Sequence, residues 1–193
     1  MHIGSGWCKG LKIATPEGLG TRPTRTRVRE AVLSMLQPWS QEGVILDLYA
    51  GSGAVGIELV SRGAKGVLFV ERSGKALLAL RGNIVGLRDR ALKEGVSIDP
   101  LEVIGDDTVL CLARFPSDKF DVVWADPPYA DVQAFIENSF ADISRVLVSE
   151  GVFALESGVA SSPGLKNIDE KLSLKLLKQK TYGATLITIW QKK

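Results

Sequence analysis

Histidine and cysteine are nearly missing from this chain of 193 residues. One histidine, His2, leaves almost no material for a His-based metal site or a Ser-His-Asp triad. The two cysteines, Cys8 and Cys111, stand far apart and offer neither a disulfide framework nor a zinc spacing. No apolar run approaches the roughly 18 residues that a membrane span needs. The first residues, Met1-His2-Ile3-Gly4-Ser5-Gly6, lack the apolar stretch of a signal peptide. With 45% hydrophobic and 24% charged residues, wholesale disorder is also excluded. The expectation is a soluble cytoplasmic protein of one domain, or one domain with a small appendage.

An excess of either charge sign is absent overall, since the net charge is +2. Its distribution is uneven. Residues 1–29 hold Lys9, Lys12, Arg22, Arg25, Arg27 and Arg29 against Glu17 alone, while the remainder has 18 basic and 21 acidic residues. A positive arm on a slightly acidic body suggests contact with a polyanion, although charge runs more often form a solvated surface.

What is present is an alternation of short apolar runs with amphipathic stretches. Residues 1–23 are glycine-rich and basic, with apolar pieces at Ile3, Leu11 and Ile13 that fit a small hairpin. From Thr24, the positions Val28, Ala31, Val32, Met35 and Leu36 carry helical spacing, which Pro38 is expected to stop. Strands are expected at 44–48, 67–70, 101–104, 120–125 and 152–155, with helices at 54–61, around 75–87 and near 132–147. Residues 88–100 read as a polar loop. Fully apolar strands between amphipathic helices argue for a parallel sheet covered on both faces. The end differs: 172–177 and 184–190 flank Tyr182-Gly183 with no helix between, which predicts an antiparallel hairpin.

Two motifs carry chemistry. In Asp47-Leu48-Tyr49-Ala50-Gly51-Ser52-Gly53-Ala54-Val55-Gly56, a G-x-G-x-x-G run lies between a strand and a helix, where glycines permit a sharp turn and close approach of a ligand. Glu71 ends the next strand twenty residues after Gly51, at the place of an acid that binds ribose hydroxyls. A nucleoside ligand fits this context, and NAD stays open on these residues alone. Asp47, just before the glycines, would repel a pyrophosphate and suit a cationic ligand. Asp106 either accepts a hydrogen bond from an adenine amine or caps a helix. An acid-lined nucleoside pocket fits S-adenosylmethionine better than a dinucleotide.

The second motif, Asp126-Pro127-Pro128-Tyr129, follows the fourth strand at the edge where open α/β sheets bind ligands. An exocyclic base amine is a poor nucleophile because its lone pair is delocalised into the ring. Acceptors aimed at both N–H bonds favour the pyramidal form that frees the pair. An ionised Asp126 is an acceptor only, the Pro127 carbonyl supplies a second acceptor, and Tyr129 can stack on the base, an interaction of about 1–3 kcal/mol.

Asp47–Gly53, Glu71, Asp106 and Asp126–Tyr129 together resemble the Rossmann-like, S-adenosylmethionine-dependent methyltransferases that modify exocyclic or amide nitrogens. His2-Ile3-Gly4-Ser5-Gly6 with Lys9-Gly10, Thr21-Arg22-Pro23-Thr24, Arg27-Val28-Arg29-Glu30-Ala31, Ser61-Arg62-Gly63-Ala64 and Tyr182-Gly183 are similar to the bacterial small-subunit ribosomal RNA guanine-N2 methyltransferases, over essentially the whole chain. The resemblance implies a seven-stranded, mostly parallel α/β sheet with an antiparallel last strand. It implies a basic hairpin and helix extension over 1–38 and a methyltransferase domain over 39–193. Asp47, Tyr49, Gly51, Ser52, Gly53, Glu71 and Asp106 would hold S-adenosylmethionine. Asp126, Pro127 and Tyr129 would be catalytic, and Arg22, Arg25, Arg27 and Arg29 would meet RNA. The implied protein is a monomer without a metal, acting on 16S ribosomal RNA in an assembling or assembled small subunit. Adenine-N6 methylation of DNA uses the same tetrapeptide, and a non-catalytic RNA-binding module on this fold is a further alternative.

Overall fold

A computed structural model describes residues 1–15, 23–161 and 173–193, with the backbone alone for 23–25. Along the chain run α1 (Pro23–Ser40), β1 (Val44–Leu48), α2 (Ala54–Ser61), β2 (Gly66–Val70), α3 (Gly74–Glu94), β3 (Leu101–Ile104), α4 (Thr108–Arg114), β4 (Phe120–Ala125), α5 (Val132–Val146), β5 (Leu147–Gly158), β6 (Leu174–Tyr182) and β7 (Thr185–Lys192). The strands form one seven-stranded sheet in the order β3-β2-β1-β4-β5-β7-β6. β7 is antiparallel to both its neighbours, and the other pairs are parallel, as expected of a Rossmann-like methyltransferase sheet.

Burial on both faces explains why the central strands are apolar throughout. Successive residues alternate between two cores: Ile45 and Trp124 join the one beneath α1, α2 and α3, and Leu46 and Val123 join the one with α5. β6 lies at the sheet edge and is largely exposed. Its lysines, Lys175, Lys178 and Lys180, keep that edge from templating another strand.

Three expectations about elements need correction. α1 does not stop at Pro38 but runs on to Ser40. A proline so close to the helix end removes one N–H from the ladder and leaves only two more helical residues to follow it. Residues 88–94, expected in a polar loop, are the last turns of α3, where Ala91 is buried, Arg90 pairs with Glu94 at 3.0 Å, and Gly95 caps the end with φ 67°. A helix absent from the sequence reading, α4, follows β3. It is too short to show a period, and its N-cap is Asp107, whose Oδ1 accepts from Val109 N–H at 2.9 Å. The capping role weighed for Asp106 therefore belongs to its neighbour.

The expected N-terminal hairpin is present as a single bridge, His2 with Lys12, supported by Ile3 N–H to Leu11 O at 3.0 Å. Ile3, Cys8 and Ile13 are buried in the same core as Val28 and Leu33 of α1 and Ile57 of α2. Glu58, 2% exposed, turns its Oε1 to Gly4 N–H (3.0 Å), Ser5 N–H (3.2 Å) and Arg62 (3.2 Å). Ser61 donates its hydroxyl to Ser5 O at 2.6 Å and accepts from Cys8 N–H at 3.1 Å. The glycine-serine run at the N-terminus and the Ser61–Ala64 motif are thus two halves of one latch. Trp7 donates its indole N–H to Val60 O at 3.0 Å and belongs to this latch. Among the described residues no helix is long and apolar enough to cross a membrane.

Candidate active site at the carboxyl edge of the sheet

Four adjacent strands end on one rung. Leu48 pairs with Val70 on one side and Ala125 on the other, and Val70 pairs with Ile104. The next residue of each, Tyr49, Glu71, Gly105 and Asp126, therefore leaves the sheet at the same level. Between β1 and β4 the strand order reverses direction, the place where open α/β sheets leave a crevice. Residues separate in sequence are thus assembled at one edge by register alone.

The glycine loop fills this edge. Gly51 and Gly53 have φ 58° and 76°, left-handed values that suit glycine. A Cβ on Gly53 would stand 2.5 Å from Leu80 Cδ1, so the loop packs closely on α3 there. Beside Gly51 the nearest such atom, Tyr49 O, is 4.0 Å away, which leaves space for a ligand against the backbone. Gly51 N–H donates to Glu71 Oε2 at 2.8 Å, while Glu71 Oε1 accepts from Ser73 N–H at 2.7 Å. Each carboxylate oxygen can still accept from a hydroxyl through its remaining lone pair. Tyr49, itself at φ 57°, is half-buried with its ring edge-on to Phe135 at 5.3 Å.

Asp47 is 1% exposed, and its Oδ2 accepts from Gly56 N–H at 2.9 Å, inside the first turn of α2. Burial pushes its carboxyl well above the usual range; the Gly56 bond opposes this, and the charges of Asp126 and Glu71 add to it. Asp106 contrasts. Its exposed carboxyl pairs with Arg114 and accepts from Asp107 N–H at 2.7 Å, and the Arg114 hydrogen bond holds its pKa low.

On the other side of the crevice, Pro127 is buried while Asp126, Pro128 and Tyr129 are exposed. Pro128 O accepts from Asp131 N–H at 2.8 Å, which closes the turn into α5. The Tyr129 hydroxyl lies 3.0 Å from Thr185 Oγ1 on β7.

Comparisons with known proteins bear on the family and the fold. A family model described as "Conserved hypothetical protein 95" matches residues 1–191. This chain belongs to that family. YlbH of Bacillus subtilis (strain 168), by name an rRNA methyltransferase, is 29% identical over 100% of both chains. Ribosomal RNA small subunit methyltransferase D of Escherichia coli (strain K12) is also 29% identical, over 98% of this chain and 88% of its own. A solved Escherichia coli structure, called the methyltransferase yhhF, superposes with a TM-score of 0.80 at 24% identity, covering 100% of this chain and 98% of that one. The family member described here has the fold of S-adenosylmethionine-dependent methyltransferases.

Of the expected site residues, Asp47, Tyr49, Gly51, Ser52, Gly53, Glu71, Asp106, Asp126, Pro127 and Tyr129 all fall on this edge. Among the described residues, two of the expected arginines show their side chains, and these differ. Arg27 is exposed on α1; Arg29 is half-buried and turns its Nη1 to the Met1 sulfur at 2.7 Å. Arg22 and the side chain of Arg25 lie outside the described residues. Sequence reasoning missed Asn83 of α3, 6% exposed, which donates to Ser52 O at 2.8 Å and to Ala14 O at 2.9 Å and accepts from Ala14 N–H at 2.8 Å. One amide thereby joins the N-terminal arm to the glycine loop. An asparagine on an otherwise apolar helix face was the available signal.

Proposed function

We propose that this protein transfers the methyl group of S-adenosylmethionine to the N2 amine of a guanine in small-subunit (16S) ribosomal RNA. The observation that carries the reading is the meeting, on one rung, of an acid-lined glycine loop and the Asp126–Tyr129 turn. The names of the full-length relatives support ribosomal RNA as the substrate class.

The residues present fit the cofactor. The space beside Gly51 admits a ligand, and Glu71 and Asp106 supply acceptors for ribose hydroxyls and an adenine amine. Asp47, just before the glycines, suits a cationic ligand better than the pyrophosphate of a dinucleotide. Bound there, S-adenosylmethionine supplies a methyl group on a positively charged sulfur. Asp126, joined by Asp47 where its raised carboxyl ionises, sets a negative field suited to that charge. Tyr49, Ser52 and Gly53 complete the cradle.

For the chemical step, Asp126 would accept one N–H of the guanine amine and the Pro127 carbonyl the other, which would free the nitrogen lone pair for attack. Asp126 would also stabilise the amine as it becomes cationic and take up the proton that nitrogen loses once methylated, with S-adenosylhomocysteine as the departing product. Tyr129 stacks on the base, which must leave its own stack to reach it. Arg22, Arg25, Arg27 and Arg29 contact RNA phosphates along the approach, and the arm and its helix, residues 1–38, serve the RNA while 39–193 serve the chemistry. The partner is an assembling or assembled small subunit in the cytoplasm.

Tritium transfer from labelled S-adenosylmethionine to small subunits lacking native methylation tests the whole reading. Label recovered in N2-methylguanosine is the expected result. Label in another nucleoside would retain the chemistry and overturn the guanine assignment, and RNA binding without any transfer would leave a binding module.

A further inference from the structure

We propose that Thr185 and Gly158 are positioning residues for methyl transfer: the rung they form seats the Tyr129 ring and so sets the plane in which the target base stacks. The inference rests on the stacking role given to Tyr129 above and deepens it.

The sheet is uneven at the active edge. β4 and β5 part after the pair Ala125–Leu155, but β5 and β7 stay paired out to Gly158–Thr185. Three further residues of β5 at about 3.3 Å each raise a wall roughly 10 Å beyond the Ala125–Leu155 rung, the last before Asp126. The wall is held at its end by Val159 N–H to Ala184 O at 2.9 Å.

Tyr129 rests on the last rung of this wall at two points. A Cβ on Gly158 would stand 2.9 Å from Tyr129 Cδ2 and 3.3 Å from Cε2, so the ring lies against a strand position that must lack a side chain. The far end of the ring is held by the 3.0 Å hydrogen bond between the Tyr129 hydroxyl and Thr185 Oγ1. Thr185 is only 9% exposed, on a strand paired on both sides, and its β-branched side chain has little rotamer freedom. Tyr129 retains 39% exposure, so the seated ring still offers surface to a ligand.

The proline turn fixes where the Tyr129 backbone goes, yet it leaves the side-chain torsions to be settled elsewhere. Contact with Gly158 and the bond to Thr185 constrain them. The base plane is thereby defined relative to Asp126, three residues earlier, before any RNA arrives. Such preorganisation lowers the cost of aligning amine and methyl donor, where small misplacements are expensive.

The test is a steady-state series on the full chain with labelled S-adenosylmethionine and unmethylated small subunits. Thr185→Val keeps the shape and removes the oxygen. It should lower kcat/KM for the RNA substrate by roughly two- to tenfold, the range of one neutral hydrogen bond, with the KM for S-adenosylmethionine and the Tm unchanged. Thr185→Ser should restore the rate. Tyr129→Phe should match Thr185→Val, and the double variant should be no worse than either single one. Gly158→Ala should displace the ring and cost more than Thr185→Val.

A wild-type rate for Thr185→Val, losses that multiply in the double variant, or failure of Thr185→Ser to restore activity would each overturn the inference. Tyr129→Ala separates it from the reading beneath. Full transfer by Tyr129→Ala would remove the stacking role itself and this inference with it. Lost transfer in Tyr129→Ala beside a wild-type Thr185→Val would sink the positioning role alone.

Discussion

The carboxyl of Asp47 is almost wholly removed from water and feels the negative charges of Asp126 and Glu71, so its pKa is raised in the folded state. The folded protein then holds this proton more tightly than the unfolded chain. Stability therefore falls as pH climbs from the unfolded carboxyl range toward the raised folded value. Asp47→Asn keeps an oxygen to accept from Gly56 N–H and removes the charge. The variant should outlast the parent in denaturant at pH 8, with the gap narrowing toward pH 5; an equal gap at both would show that the carboxyl is not strained. Its affinity for S-adenosylmethionine should fall. Asp126→Ala acts on the opposite side of the crevice. Transfer should drop by about a hundredfold or more, the scale of one lost transition-state partner, while cofactor binding by calorimetry stays near the parent value. A fully active variant would remove Asp126 from catalysis.

Among the elements, the connection between the N-terminal hairpin and α2 is the one whose loss is easiest to measure. Glu58 serves two backbone N–H groups and Arg62 from a buried position. Glu58→Ala leaves those donors without their acceptor and should cost about 1–3 kcal/mol. Glu58→Gln retains an acceptor and should cost less. Amide exchange at Gly4 and Ser5 should accelerate in Glu58→Ala but not at Leu46 or Val123, which are buried in the sheet; uniform acceleration would mean that the latch is not a separate unit. Gly6 adds a steric requirement at the same place, with φ 82° and Ser61 O at 1.7 Å from where a Cβ would be. α3 is the second connector, since Asn83 reaches both Ala14 and Ser52. That one side chain links the arm to the glycine loop by hydrogen bonds.

For the molecule as a whole, charge and reach decide how it meets RNA. The excess of basic residues over 1–29 predicts affinity that falls steeply with salt, the log–log slope steepening by roughly 0.7–0.9 for each phosphate neutralised. Replacing Arg25 and Arg27 together with Ala should weaken binding at low salt and flatten that slope by about one to two units. An unchanged slope in filter-binding or fluorescence titrations would make the arm a solvated surface. The guanidinium of Arg29, turned to Met1, is expected to contribute less than that of exposed Arg27.

How much could be read beforehand follows from distance along the chain. The apolar strands, the glycine loop and the Asp126–Tyr129 turn are contiguous, so local backbone demands alone made them and their order legible. The ends of α1 and α3 were misjudged because a single Pro38 and a polar run at 88–94 were given more weight than the packing that holds those turns. α4 is shorter than the two turns that a period requires. Glu58 with Gly4, Asn83 with Ala14 and Ser52, and Tyr129 with Thr185 join residues separated by 31 to 69 positions, and only packing brings them together. The sequence by itself determined the parallel α/β sheet, the glycine loop and the turn proposed to react, because each depends on period and spacing. Tertiary structure alone decided which carboxylates are buried, which arginine faces inward and which strand seats the aromatic ring, because each depends on what lies across the sheet rather than along the chain.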